Sequence, residues 1–185
     1  MILPALNEPA PRAELLILCT GNAARSVMAG YMLGHLAEGA GVEIGLVTAG
    51  THAVEGQPMS ARTRAALASV GALEHVSTSG HRSRQLTGLD AARADLVVAM
   101  EADHVRYVRR RHPEAATRPA TIRRLCRDLP AGPPGLAERV AALGLDRVEL
   151  TDDEDVADPA GGDEAVYVDC ARQLYSLCQE LVTRL

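Results

Sequence analysis

The sequence predicts an α/β domain with a four-stranded parallel sheet flanked by helices in three layers, and a phosphate-binding loop between its first strand and first helix. Three observations lead there. Short, continuously apolar runs alternate with segments of helical periodicity, and the links between them are short, as in open, doubly wound sheets. A third is the stretch CTGNAARS, Cys19 to Ser26, at the carboxyl end of the first apolar run, where such sheets bind ligands.

The elements follow in order. Glu14 to Leu18 (ELLIL) reads as a buried parallel strand, and Gly21-Asn22 as a turn after it. A helix starts near Arg25, with Met28, Met32, Leu33 and Leu36 at helical spacing, and Gly39 to Gly41 stop it before a second strand at Val42 to Val47. Next come a helix from about Met59 to Val70, a polar link through Ser77 to Ser83 and a third strand at Ala94 to Met100. A helix over Asp103 to Arg111, a fourth strand near Thr121 to Leu125, a Pro/Gly break at Pro130 to Gly135 and a helix over Leu136 to Leu143 complete the alternation. From Asp163 to Leu185 a long helix places Tyr167, Cys170, Leu174, Leu177, Cys178, Leu181 and Leu185 on one stripe, so Cys170 and Cys178 are expected in the core, with Asp163 as the cap. One domain over residues 13–185 is expected, preceded by an extension over residues 1–12.

Composition narrows the function. In 185 residues no apolar run approaches membrane-spanning length, and no basic stretch precedes an apolar one at the start, so a cytoplasmic protein without membrane attachment is expected. Cysteines 19, 126, 170 and 178 form no CxxC and no Cys/His pair with zinc spacing, which predicts no metal site, no cofactor and no disulfide framework. The net charge of −5 disfavours nucleic acid, although residues 106–127 carry eight arginines. Those arginines are not interleaved with aromatics that could stack on bases, and a solvated helix and loop is the simpler reading. Nothing signals an interface, so a monomer is expected.

The chemistry is concentrated in the loop Thr20, Gly21, Asn22, Ala23, Ala24, Arg25, Ser26 that follows Cys19. A loop of this size can turn its backbone N–H groups inward around a phosphate dianion, with a helix N-terminus adding partial positive charge. Gly21 and Asn22 tolerate left-handed backbone angles, and the Asn22 side chain can tie the loop together. Arg25 can grip two phosphate oxygens and stabilise charge on the equatorial oxygens of a loose transition state. N–H dipoles, helix terminus and guanidinium together favour a thiolate at Cys19, the predicted nucleophile. The Ser26 hydroxyl can donate to the sulfur and favour its departure when a phosphocysteine is hydrolysed. With positive charge supplied by the protein, no metal ion is required.

These residues resemble the low-molecular-weight protein tyrosine phosphatase family. The resemblance extends beyond the loop to TAGT at Thr48 to Thr51, HRSRQL at His81 to Leu86, ADLVVAM at Ala94 to Met100 and ADP at Ala157 to Pro159, in the same order along nearly the whole chain. It implies hydrolysis of phosphomonoesters through a phosphocysteine, with phosphotyrosine protein as the expected substrate and Asp158 of the Asp-Pro pair as general acid. Chemistry asks for such a group independently, because the leaving alkoxide or phenolate must receive a proton. Two departures stand out. Ala24 takes the place of a second cysteine that could trap an oxidised nucleophile, and Ala53, Ala160 and Gly161 stand where the family walls its pocket with aromatics. His52 and Tyr167 are the candidates for a partial wall. A small-thiol-coupled arsenate reductase, which shares the fold and loop, is the alternative reading, and a non-catalytic phosphoprotein-binding module a third. A module of that kind needs neither nucleophile nor acid.

Overall fold

Every strand of the sheet runs in the same direction. In the computed structural model, which describes residues 12–185, β1 (Ala13–Cys19), β2 (Ile44–Gly50), β3 (Leu96–Ala99) and β4 (Pro119–Thr121) lie in the order β2-β1-β3-β4. Of the extension expected at residues 1–12, all but the last residue falls outside the described residues. β1 is central because it is apolar on both faces. Leu15, Ile17 and Cys19 face a layer built from α1 (Arg25–Ala40), α2 (Ala61–Ala68), α5 (Ile122–Asp128), α6 (Leu136–Ala142) and α7 (Glu164–Val182). Leu16 and Leu18 face the thinner layer of α3 (Gly88–Arg93) and α4 (Ala102–Arg111).

The register decides where the site lies. Cys19 is opposite Gly50 at the end of β2, while Leu18 is opposite Ala99 at the end of β3. The chain leaves β1 toward β2 on one side and later returns to β3 on the other, so the carboxyl end of β1 is a topological switch point. Caps fix the helices around it. Gly41, in the left-handed region at φ 69°, ends α1. The Ser60 and Asp163 side chains accept from the Thr63 and Val166 N–H groups, each at 3.1 Å, to start α2 and α7. As expected, Cys170 and Cys178 are buried; their stripe on α7 packs against α1, α2 and α5.

Two expectations need correction. The strand foreseen near Thr121 to Leu125 ends at Thr121, whose hydroxyl accepts from the Arg124 N–H at 3.2 Å and turns the chain into α5. Ile122, Leu125 and Cys126 then bury a helical face instead of alternating. A short helix, α3, also occupies the segment before β3. Its signal is a capping box in which Thr87 and Asp90 satisfy each other's backbone N–H groups, but six residues are too few to show a helical period. Among the described residues, no helix is long and apolar enough to cross a membrane, and no group of three or more His, Cys, Asp or Glu side chains could hold a metal ion.

Candidate active site

The Cys19 Sγ lies 3.0 Å from the Ser26 Oγ. Asn22 Nδ2 donates to that same Oγ at 3.1 Å, so the serine's own proton is free to point at the sulfur. Asn22 is the keystone of the loop. It adopts φ 49°, the left-handed region, whereas Gly21 does not. Its side chain also donates to the Thr48 Oγ1 at 2.9 Å and accepts from the Arg84 N–H at 3.0 Å. The Asn22 carbonyl accepts from the Ser83 hydroxyl at 2.7 Å and from His81 Nε2–H at 3.0 Å. Burial holds the His81 imidazole below its ordinary range, outweighing the favourable bond to that carbonyl.

The remaining walls come from the ends of β2 and β3. Thr51 N–H donates to the Cys19 carbonyl and His52 N–H to the Thr20 carbonyl, both at 2.9 Å. This close approach requires Gly50, since a Cβ there would sit 2.5 Å from the Thr20 oxygen and 2.9 Å from the Asn22 nitrogen. The backbone N–H groups of Gly21 to Ser26 make no hydrogen bond among the described residues. They are the unpaired donors expected at a helix start and suit an anion.

Arg25 is 1% exposed, and a buried charge of this kind demands partners. Its NH1 donates to the Glu101 carboxylate and, at 2.8 Å, to the Val156 carbonyl; its NH2 donates to Asp158 Oδ2 at 2.6 Å and to Thr20 Oγ1 at 3.3 Å. Asp158 Oδ1 accepts from the Ala160 N–H at 3.1 Å. The loop bearing Asp158 is hooked to the sheet: Val156 N–H donates to the Met100 carbonyl at 2.8 Å, and Asp155 Oδ1 accepts from the Ala102 N–H at 2.7 Å. Cys19, Arg25 and Ser26 of one loop are thus joined by Asp158, 133 residues beyond Arg25.

Behind Arg25 stands a group with no obvious sequence signal. His104, 2% exposed, accepts the Glu101 N–H at Nδ1 (3.1 Å). Its proton is therefore on Nε2, which lies 3.0 Å from Thr20 Oγ1 and 3.3 Å from Glu101 Oε2. Burial first, and then the Arg25 guanidinium, push this imidazole down to about 3. Glu101 follows β3 at the carboxyl end of the sheet, where the topology of such sheets places ligand sites.

The pocket wall also needs correction. Tyr167 belongs to the buried stripe of α7 and lies in the core, so it offers no wall. His52 does reach the rim, where it packs edge to face on Tyr107 of α4, ring centroids 5.6 Å apart and planes at 72°. Gln85 Nε2–H donates to the Tyr107 hydroxyl at 3.3 Å and to the Thr51 carbonyl at 2.9 Å, fixing the pair. Tyr107 was hidden in an arginine-rich helix that read as solvated. Two cavities of about 430 and 750 Å³ open here, sharing Thr51, His52, Tyr107 and Arg110.

Comparison with known proteins agrees with this fold. Residues 14–133 match the family model described as low molecular weight phosphotyrosine protein phosphatase. A probable low molecular weight protein-tyrosine-phosphatase, EpsP, of Ralstonia nicotianae is 33% identical over 99 residues, covering 54% of this chain and 63% of that protein. The chain thus matches less than two thirds of that relative's length. A protein-arginine-phosphatase of Geobacillus stearothermophilus is 30% identical over 172 residues, 93% of this chain and 95% of that one. Among solved structures, a low molecular weight protein tyrosine phosphatase from T. tengcongensis superposes with a TM-score of 0.73 at 29% identity, over 94% of this chain and 99% of that one.

Proposed function

The chain belongs to the low molecular weight phosphotyrosine protein phosphatase family, and from that premise we propose that it hydrolyses phosphomonoesters of proteins through a phosphocysteine on Cys19. The observation that carries this reading is the meeting of Cys19 with Ser26, Arg25 and Asp158 around one ring of unpaired N–H groups. The Cys19 thiolate attacks phosphorus, the N–H groups and Arg25 hold the equatorial oxygens, and Asp158 protonates the departing oxygen. Asp158 and a phosphate compete for the same Arg25 donor, so substrate binding releases the carboxylate toward the leaving group. In the second half, Asp158 takes a proton from water as it attacks the phosphocysteine, and the Ser26 hydroxyl stabilises the thiolate that departs. The protein's own donors supply the positive charge in each step.

Phosphotyrosine is the substrate expected from the family. The relative that spans nearly the whole chain supports a second reading, phosphoarginine, and so do the small residues Ala53, Ala160 and Gly161 where a phenyl-stacking wall would stand. No observation favours arsenate reduction. Four free thiols, all buried, suit a reducing, cytoplasmic compartment.

The test is turnover of p-nitrophenyl phosphate, a phosphotyrosine peptide and a phosphoarginine peptide by wild type, Cys19→Ser and Asp158→Ala. Release of phosphate that disappears in Cys19→Ser and falls on the order of a hundredfold or more in Asp158→Ala supports the proposal. Arsenite formation from arsenate and glutathione, with negligible phosphate release, would overturn it.

A further inference from the structure

We propose that Arg110 and Arg111 form an anion-binding subsite beside the catalytic loop, which selects protein substrates bearing acidic residues about three positions from the phosphorylated one. The proposal rests on the reading of Cys19 as a phosphatase nucleophile and adds to it a rule for the substrate's flank.

The arginine-rich stretch of residues 106–127 is mostly consumed by the fold. Arg106 pairs with Asp103, Arg109 donates to the Leu145 and Val148 carbonyls, and Arg118 donates to the carbonyls of Ala91, Ala92 and Ala94. Arg123 donates to the Asp155 carbonyl, and Arg124 and Arg127 clasp the buried Glu154. Of the eight, only Arg110 and Arg111 make neither a hydrogen bond nor an ion pair among the described residues. Both are exposed, and both line the open cavity floored by the His52–Tyr107 pair. Arg110 also lines the adjoining cavity that reaches Thr20 of the catalytic loop.

The acids at the inner end of this groove already have partners. Glu101 is held by Arg25 and His104, and Asp103 by Arg106. The groove's unpaired guanidiniums, among the described residues, lie at its outer end. Asp103 lines the cavity that reaches Thr20 of the catalytic loop, and Arg110 lies seven residues beyond it on α4, about 10 Å along the axis, which an extended peptide spans in about three residues. A carboxylate there would meet two guanidiniums whose planar forks suit it, while the peptide backbone passes over the aromatic pair. The net charge of −5 repels acidic peptides in general, so any preference for them has to arise locally.

The experiment uses two phosphotyrosine peptides that differ only in carrying glutamate or glutamine two to four residues from the phosphorylated position on both sides. For wild type the ratio of kcat/KM, glutamate over glutamine, is expected to be about fivefold, the yield of two exposed ion pairs, and to shrink at high salt. In Arg110→Gln/Arg111→Gln the ratio is expected to fall to one. A wild-type ratio of one, or a ratio retained by the double variant, overturns the subsite. The same peptides are also bound to Cys19→Ser, with and without the two arginines. If wild type released no phosphate from any substrate, the proposed activity would fail. A charge preference in binding would still support the subsite, and its absence would still refute it.

Discussion

Burial and the Arg25 guanidinium push the His104 imidazole down to about 3, so it serves as an uncharged donor to Thr20 and Glu101 behind the catalytic arginine. This has a consequence for acid stability. The folded value lies below the ordinary 6.5, so between the two the unfolded chain binds a proton that the folded chain does not. Stability contributed by this group is therefore lost as pH falls from about 6.5 toward 3, by at most about 1.4 kcal/mol per pH unit. His104→Asn should flatten the pH dependence of urea unfolding in that window by about one proton; an unchanged slope would show that His104 binds its proton alike in the folded and unfolded chain, contradicting the lowered value. Individual residues were unevenly legible in the sequence. Asn22 could be foreseen because its left-handed angle and short amide are local properties. His104 and Tyr107 could not, because their value comes from partners distant in sequence, Thr20 for His104 and His52 for Tyr107, brought near only by the fold.

At the scale of elements, the loop is shaped as much by the end of β2 as by its own sequence. A Cβ on Gly50 would press on two backbone atoms of the loop, Thr20 O and Asn22 N, and neither can swing away as a side chain could. Gly50→Ala should displace the loop and reduce kcat/KM on the order of a hundredfold, the cost of a misplacement of about 1 Å. Thermal unfolding of the same variant separates a moved loop from a lost fold, and full activity would contradict the assignment. The elements around the site were readable wherever an apolar run or a helical stripe was long: β1, α1, α4 and α7 lie where periodicity puts them. The errors fall on short pieces. Thr121 is both the last residue of β4 and the cap of α5, and the chain turns helical there because Ile122, Leu125 and Cys126 bury on one helical face.

For the molecule as a whole, α7 is the slab that closes the larger core, and Leu174 sits at its centre, fully buried. Leu174→Ala should cost roughly 2–5 kcal/mol of unfolding free energy, measured in urea. The distribution of cysteines sets the response to oxidants. Ala24 offers no thiol beside Arg25, and burial raises the Cys126 and Cys170 thiols to about 11 and Cys178 higher still. None of these supplies a ready thiolate to capture an oxidised Cys19. Peroxide is expected to inactivate the protein irreversibly, and full recovery in dithiothreitol would contradict this.

The central claim is that Cys19 carries the phosphoryl group during turnover, and intact-protein mass spectrometry of rapidly quenched Asp158→Ala tests it most directly, since slow protonation and slow hydrolysis leave the adduct time to be trapped. One phosphoryl group on the protein, localised to Cys19 and absent from Cys19→Ser, is the result predicted. Turnover with no covalent adduct on Cys19 at any quench time would contradict the account.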